Sequence, residues 1–173
     1  MSTPHIDGLK YPGILAIYNY DEALGAILKS ILYYTMENEG LLSRPEKEFL
    51  ACYASTVNSC LFSMELHKNV YEQLTGESIK ESVSLHAYKV SVKLRNLCTI
   101  VKDVCQMNRV NQAKSVWVAK KAGVLDKEIF EAVAIGSLFC MVNRMVDMLN
   151  TNHPKRENFY ESAARHVVAH GYL

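Results

Sequence analysis

Residues 127–149 carry Ile129, Val133, Ile135, Leu138, Phe139, Met141, Val142, Met145, Val146, Met148 and Leu149. Wound at 3.6 residues per turn, these side chains cover nearly every side of a helix. A helix that is apolar all round has to be surrounded, either by its own chain or by another subunit. Asp126 reads as its N-cap and Glu128 as an acidic residue of its first turn. No run in the chain reaches the ~18 uninterrupted apolar residues of a membrane span. The helix is therefore expected at the centre of a packed helical assembly, with no membrane partner.

Helical spacing runs through the rest of the chain. Leu24, Ile27, Leu28, Ile31, Leu32 and Tyr34 recur at three and four within residues 21–37, and Gly40 ends that segment. Two helices follow at about 44–58 and 60–74, the second stopped by Thr75-Gly76. Residues 77–86 read as a short helix or a loop. From Ala87 to Met107, Val90, Leu94, Leu97, Ile100, Val101, Val104 and Cys105 fall on one inward face. Asn111 caps a helix that ends at Gly123, Asn152-His-Pro154 is a linker, and a last helix covers Glu157 to His170. Only Ile14 to Tyr18 shows a weak strand-like alternation. No internal repeat interrupts this pattern. The expected fold class is all-α, a bundle of six to eight helices in a single domain spanning residues 1–173.

One pair of these helices carries chemistry. Ser43-Arg-Pro-Glu46 is a capping-box start, with Pro45 in the first turn. Thr56, Asn58 and Ser59 form a polar break before Cys60. If the chain reverses there, Glu48, ten residues before Asn58, stands level with His67, nine residues after it. Cys60, Ser63 and His67 are spaced by three and four and share one helix face. A carboxylate facing an imidazole, with a nucleophile position one turn away, is the arrangement of general-base catalysis. Cys60 would lie at the start of its helix, where the dipole lowers a thiol pKa below its usual value of about 8.5.

These residues resemble the alkylhydroperoxidase D and carboxymuconolactone decarboxylase superfamily. The resemblance rests on Leu42-Ser43 through Glu48, on Ser55-Thr-Val-Asn-Ser-Cys60, and on His67. Trp117 through Asp126, Ile135-Gly-Ser-Leu-Phe139 and Val142-Asn-Arg144 extend it, so that it covers roughly residues 12 to 150. In the peroxidase branch a glutamate precedes a Cys-x-x-Cys pair, and a histidine follows four residues after the second cysteine. Glu48, Cys60 and His67 match; Ser63 replaces the second cysteine, and Phe62 stands where well-known members have a further histidine.

The serine closes the usual dithiol cycle, because a hydroxyl forms no analogue of a sulfenic acid. The resemblance then implies an antioxidant protein that reduces hydrogen peroxide or alkyl hydroperoxides through a single motif cysteine. Cys60 would be the nucleophile, His67 the base, Glu48 the group that orients His67, and Ser63 a hydrogen-bond donor to thiolate or peroxide. An external thiol would be the reductant. The alternatives are decarboxylase-like chemistry on a small organic acid, with His67 and Glu48 as acid and base, and a non-catalytic oligomeric binding protein. The family assembles as trimers or as hexamers built from dimers, so a homo-oligomer is expected, with the 127–149 or the 21–37 helix at its interface.

Composition narrows the partners. The formal net charge is +1 and the basic residues are dispersed, so no nucleic acid is expected. The glycines are scattered and form no phosphate-binding loop, so no cofactor is expected. His166 and His170 could be half of a zinc site, but no third ligand stands at a characteristic spacing and no metal is expected. The N-terminal residues MSTPHIDGLKYPG lack an apolar signal core, and the five cysteines are odd in number. Both read as reduced thiols in a cytoplasmic protein. Cys98 and Cys105, about 10 Å apart along one helix, are expected in the core.

Overall fold

A computed structural model describes residues 6–79, 90–151, 153–155 and 158–172. Its elements are α1 (Ile14–Tyr20), α2 (Glu22–Glu37), α3 (Arg44–Val57), α4 (Leu61–Thr75), α5 (Val92–Cys105), α6 (Gln112–Lys121), α7 (Asp126–Met148) and α8 (Phe159–His170). No strand occurs among the described residues. The expected all-α bundle is what the chain forms.

α7 is the central helix. Ala132, Ile135 and Val146 are wholly buried, and α1, α2, α3 and α5 all pack against it. By length and composition α7 could cross a membrane. Here its apolar sides are covered mainly by α3 and α5, as in a core helix. Its first turn differs from the expectation. Leu125 is the N-cap, and the Glu128 carboxylate reaches back to accept from the Leu125 amide at 2.9 Å. Asp126 is already helical and pairs with Lys120 at 2.8 Å. With Glu128 satisfying the free amide, the capping role moves one residue earlier.

Two polar contacts lock α7 to its neighbours. Asn143 Nδ2 donates to the Ser55 hydroxyl of α3 at 3.2 Å, in a buried setting. The Glu131 carboxylate accepts from the amides of Leu41 and Leu42 at 2.9 and 3.0 Å, which ties the α2–α3 connection down. α4 runs back along α3 and is covered on its other side by α8.

The strand-like run at Ile14–Tyr18 is helical. Ala16, Ile17 and Tyr18 are buried in succession, which a two-residue period cannot arrange, and α1 docks on α2 and α7. Residues 80–89, which include most of the 77–86 segment and the start expected at Ala87, lie outside the described residues. α5 begins at Val92, where the Ser91 hydroxyl accepts from the Leu94 amide at 3.1 Å. The stripe of α2 divides: Leu28, Leu32 and Met36 face the core, while Leu24, Ile27, Ile31 and Tyr34 stay on the surface.

Candidate active site

The α3–α4 hairpin builds the site. At the start of α3 the capping box is complete: the Ser43 amide donates to Glu46 Oε2 at 2.8 Å, and the Glu46 amide to the Ser43 hydroxyl at 3.4 Å. α3 ends at Val57, Ser59 takes a positive φ of 61°, and the Cys60 amide returns to the Ser55 carbonyl at 2.9 Å. Cys60 is thus the N-cap of α4. The reversal sets Glu48 level with His67, as the spacing predicts. Nδ1 of His67 lies 2.7 Å from Oε2 of Glu48, and both side chains are buried.

A third residue completes this cluster. The Tyr172 hydroxyl sits 2.9 and 2.8 Å from the two oxygens of Glu48 and 3.0 Å from His67 Nδ1. It comes from just beyond α8 and is delivered by two devices. Gly171 adopts φ 75° and ψ −166°, a conformation open to glycine, so the chain can fold back on leaving the helix. The Arg44 guanidinium donates to the last carbonyls of α8, Val167 at 2.6 Å and Val168 at 3.3 Å, and pairs with Glu37 at 2.9 Å. Burial, then the Glu48 charge, pushes the phenol well above its ordinary range, so Tyr172 stays a donor to the carboxylate. A glycine closing a helix, followed by an aromatic residue, is the one local sign of this arrangement in the sequence.

With Glu48 and Tyr172 gathered at Nδ1, the His67 ring carries its proton there. Nε2 is left with a free lone pair. The ring stands edge-on to Phe139, with centroids 4.5 Å apart. Both His67 and Ser63 line a cavity of about 420 Å³ whose walls are largely apolar: Ile14, Leu32, Leu66, Phe139, Val142 and Phe159 among them. Tyr18, Lys29, Ser162 and His166 supply further polar groups. An imidazole with a free nitrogen lining an apolar chamber is a setting in which a proton can be moved with water largely displaced.

Cys60 stands apart from that chamber. Its Sγ lies 3.6 Å from the Ser63 hydroxyl, and the cavity wall is formed by Ser63, with Cys60 fully buried behind it. The expected depression of its pKa is not found. Burial pushes the thiol up to about 11, and the hydrogen bonds from Ser63 offset this only in part. Desolvation of the thiolate outweighs the helix dipole here. In the folded protein Cys60 should resist iodoacetamide at neutral pH and label only after unfolding. Timed alkylation with peptide mapping checks this; rapid native labelling of Cys60 would show that the cavity opens onto it.

Phe62, which stands in place of a histidine, is part of an aromatic cluster with His153, Phe159 and Tyr160. Its ring occupies the space that a Cβ on Gly13 would need and gives the chamber part of its apolar lining. His166 and His170 lie with ring centroids 4.8 Å apart, and no cluster of three metal-binding side chains occurs among the described residues.

Two solved structures share this architecture. A peroxidase-related protein of uncharacterised function from Silicibacter sp. TM1040 superposes with a TM-score of 0.75 and 17% identity, over 89% of this chain and 81% of the other. A second, from Ralstonia eutropha JMP134 and described as an alkylhydroperoxidase AhpD core, gives 0.74 and 18% over the same shares. The chain has the alkylhydroperoxidase D fold. No protein-family model matches the sequence, and no curated protein does either. Within this fold the Glu48–His67 pair spans the α3–α4 hairpin, and the Cys60–Ser63 turn opens α4.

Proposed function

We propose that this alkylhydroperoxidase-fold protein carries out cofactor-independent proton-transfer chemistry on a small, mainly apolar organic acid. The reaction type is the one named by the decarboxylase branch of the resemblance. The carrying observation is that His67 reaches the chamber with Nδ1 held by Glu48 and Tyr172, while the motif cysteine lies behind the wall. His67 Nε2 takes the proton of the substrate's reacting carboxyl group, the C–C bond breaks to release carbon dioxide, and the imidazolium returns that proton to the carbon of the enolate left behind. Glu48 holds the imidazolium charge that forms, and the Tyr172 hydroxyl keeps Glu48 in place. The Ser63 hydroxyl hydrogen-bonds the developing oxyanion, and Lys29 attracts the substrate carboxylate.

The test is a panel of unsaturated lactone acids and β-keto acids of a size that fills the chamber. Loss of ultraviolet absorbance, or release of carbon dioxide above the rate without protein, is expected for at least one of them. A panel that stays inert while peroxide is consumed through Cys60 would favour the second reading, thiol-dependent reduction of hydroperoxides. That reading draws on the peroxidase-related fold neighbours and on the 3.6 Å contact of Cys60 with Ser63.

Self-assembly belongs to the same proposal. Leu24, Ile27, Ile31 and Tyr34 leave an apolar outer face on α2, and Phe130, Met141 and Met148 of α7 are exposed as well. Burial stabilises by about 25 cal/mol per Å² of apolar surface, so a second copy docked on α2 removes a cost of several kcal/mol. Light scattering at low micromolar concentration is expected to return a multiple of 19.5 kDa, and Ile27→Glu with Ile31→Glu to return the monomer. A monomer mass for the unmodified protein contradicts it. The free cysteines fit a reducing, cytoplasmic setting.

A further inference from the structure

The corner where α6 meets α7 carries exposed aromatic rings among lysines, and none of these residues lines the chamber. α6 packs on α5 and buries Ser115 and Ala119. Trp117 points away from that face and is 61% exposed. Lys114 lies three residues before it and Lys121 four after it, so the three share one outward stripe. The Lys121 ammonium lies 5.7 Å from the centroid of the Trp117 ring. α7 repeats the pattern: Phe130, 72% exposed, follows the exposed Lys127 by three residues. The two stripes are joined. Lys120 Nζ meets Asp126 Oδ1 at 2.8 Å, and Asp126 lies one turn before Phe130 on the same face of α7. Leu125, in the connection between the helices, is exposed as well.

Charge at this corner is one-sided. From 109 to 127, Arg109, Lys114, Lys120, Lys121 and Lys127 stand against a single acid, Asp126, in a chain whose formal net charge is only +1. Asp126 is taken up by Lys120, and the other four cations have no ion pair among the described residues. Glu128, next in the chain, is turned inward to Lys93 and to the Leu125 amide. A second copy does not suit such a face, because a two-fold contact sets the same lysines opposite one another. The surface of an anionic bilayer suits it on both counts. Its headgroups neutralise the lysines, and projecting aromatic rings enter the boundary between headgroups and acyl chains.

We propose that the α6–α7 corner docks this protein on the surface of an anionic lipid bilayer. The contact is peripheral and needs no segment to cross the bilayer: Ile135 and Val146 of α7 stay wholly buried in the bundle. Lys114, Lys121 and Lys127 meet the lipid phosphates and carboxylates, while their aliphatic stems lie along the rings of Trp117 and Phe130. The attraction is set by charge and weakens as added salt shortens its reach. This surface is independent of His67 and of the acid–base reading, which can fail without affecting it.

Trp117 is the only tryptophan in the chain, so its fluorescence reports on this corner alone. The experiment mixes the full-length protein with vesicles of phosphatidylcholine and phosphatidylserine in equal parts, or of phosphatidylcholine alone, and sediments them. With the anionic vesicles the emission is expected to shift to the blue and the protein to enter the pellet. Affinity for the neutral vesicles should be at least about tenfold weaker. Lys121→Gln and Lys127→Gln should each weaken anionic binding about fivefold, and Phe130→Ser about tenfold, with the helical circular dichroism unchanged. Should Phe130→Ser fail to fold, the two lysine variants still decide. Protein that stays in the supernatant with both vesicles, or equal affinity for the two, overturns the proposal. An emission already blue and shielded from acrylamide before any vesicle is added also overturns it, and assigns the corner to a second copy. Binding to polyglutamate as tight as to anionic vesicles overturns it in favour of an acidic protein partner.

Discussion

Replacing Glu48 by alanine is expected to destabilise the protein by about 2–6 kcal/mol, about 1–3 kcal/mol for each of the two buried donors left without an acceptor. Glu48 is wholly buried and accepts from two partners, His67 at 2.7 Å and Tyr172 at 2.9 and 2.8 Å. Alanine leaves the imidazole N–H and the phenol O–H without an acceptor in a buried site. For a chain of this size that corresponds to a fall in melting temperature of roughly ten degrees. Glu48→Gln keeps an acceptor oxygen and should cost less, about 1–2 kcal/mol. Thermal unfolding of the two variants beside wild type measures this. An alanine variant as stable as wild type would mean that Glu48 is not clamped as described.

The second large effect falls on turnover. His67→Gln removes an imidazole whose Nδ1 is held by Glu48 and whose side chain lines the chamber. A positioned general base contributes about 10²–10⁴-fold, and the loss in kcat should lie in that range. KM should change little, because the apolar walls from α1, α4, α7 and α8 are untouched. Steady-state kinetics on the substrate found in the panel separate the two parameters. A loss confined to KM would assign His67 to binding alone.

The hairpin and its Glu48–His67 pair were legible because each rests on local rules. A capping box marks where α3 starts, a polar break marks where it stops, and helical rise then sets which residues stand level. The state of Cys60 was not legible. Its place at a helix start favours a low pKa, but burial behind Ser63 decides the outcome, and burial is not written in the local sequence. Tyr172 lies 124 residues from Glu48, and it arrives because Gly171 turns the chain and Arg44 grips the end of α8. Cys105 looked like core, and it is buried. The alternation at Ile14–Tyr18 was too short to tell a strand from one turn of a docked helix.

The central claim is that the chamber works through His67 and not through the motif thiol. Wild type, Cys60→Ser and His67→Gln should be compared in one assay, the absorbance loss of the responsive organic acid at neutral pH, each variant first shown to be folded. The account predicts that Cys60→Ser keeps turnover within about twofold of wild type while His67→Gln loses at least a hundredfold. Turnover that collapses in Cys60→Ser and survives in His67→Gln would contradict it.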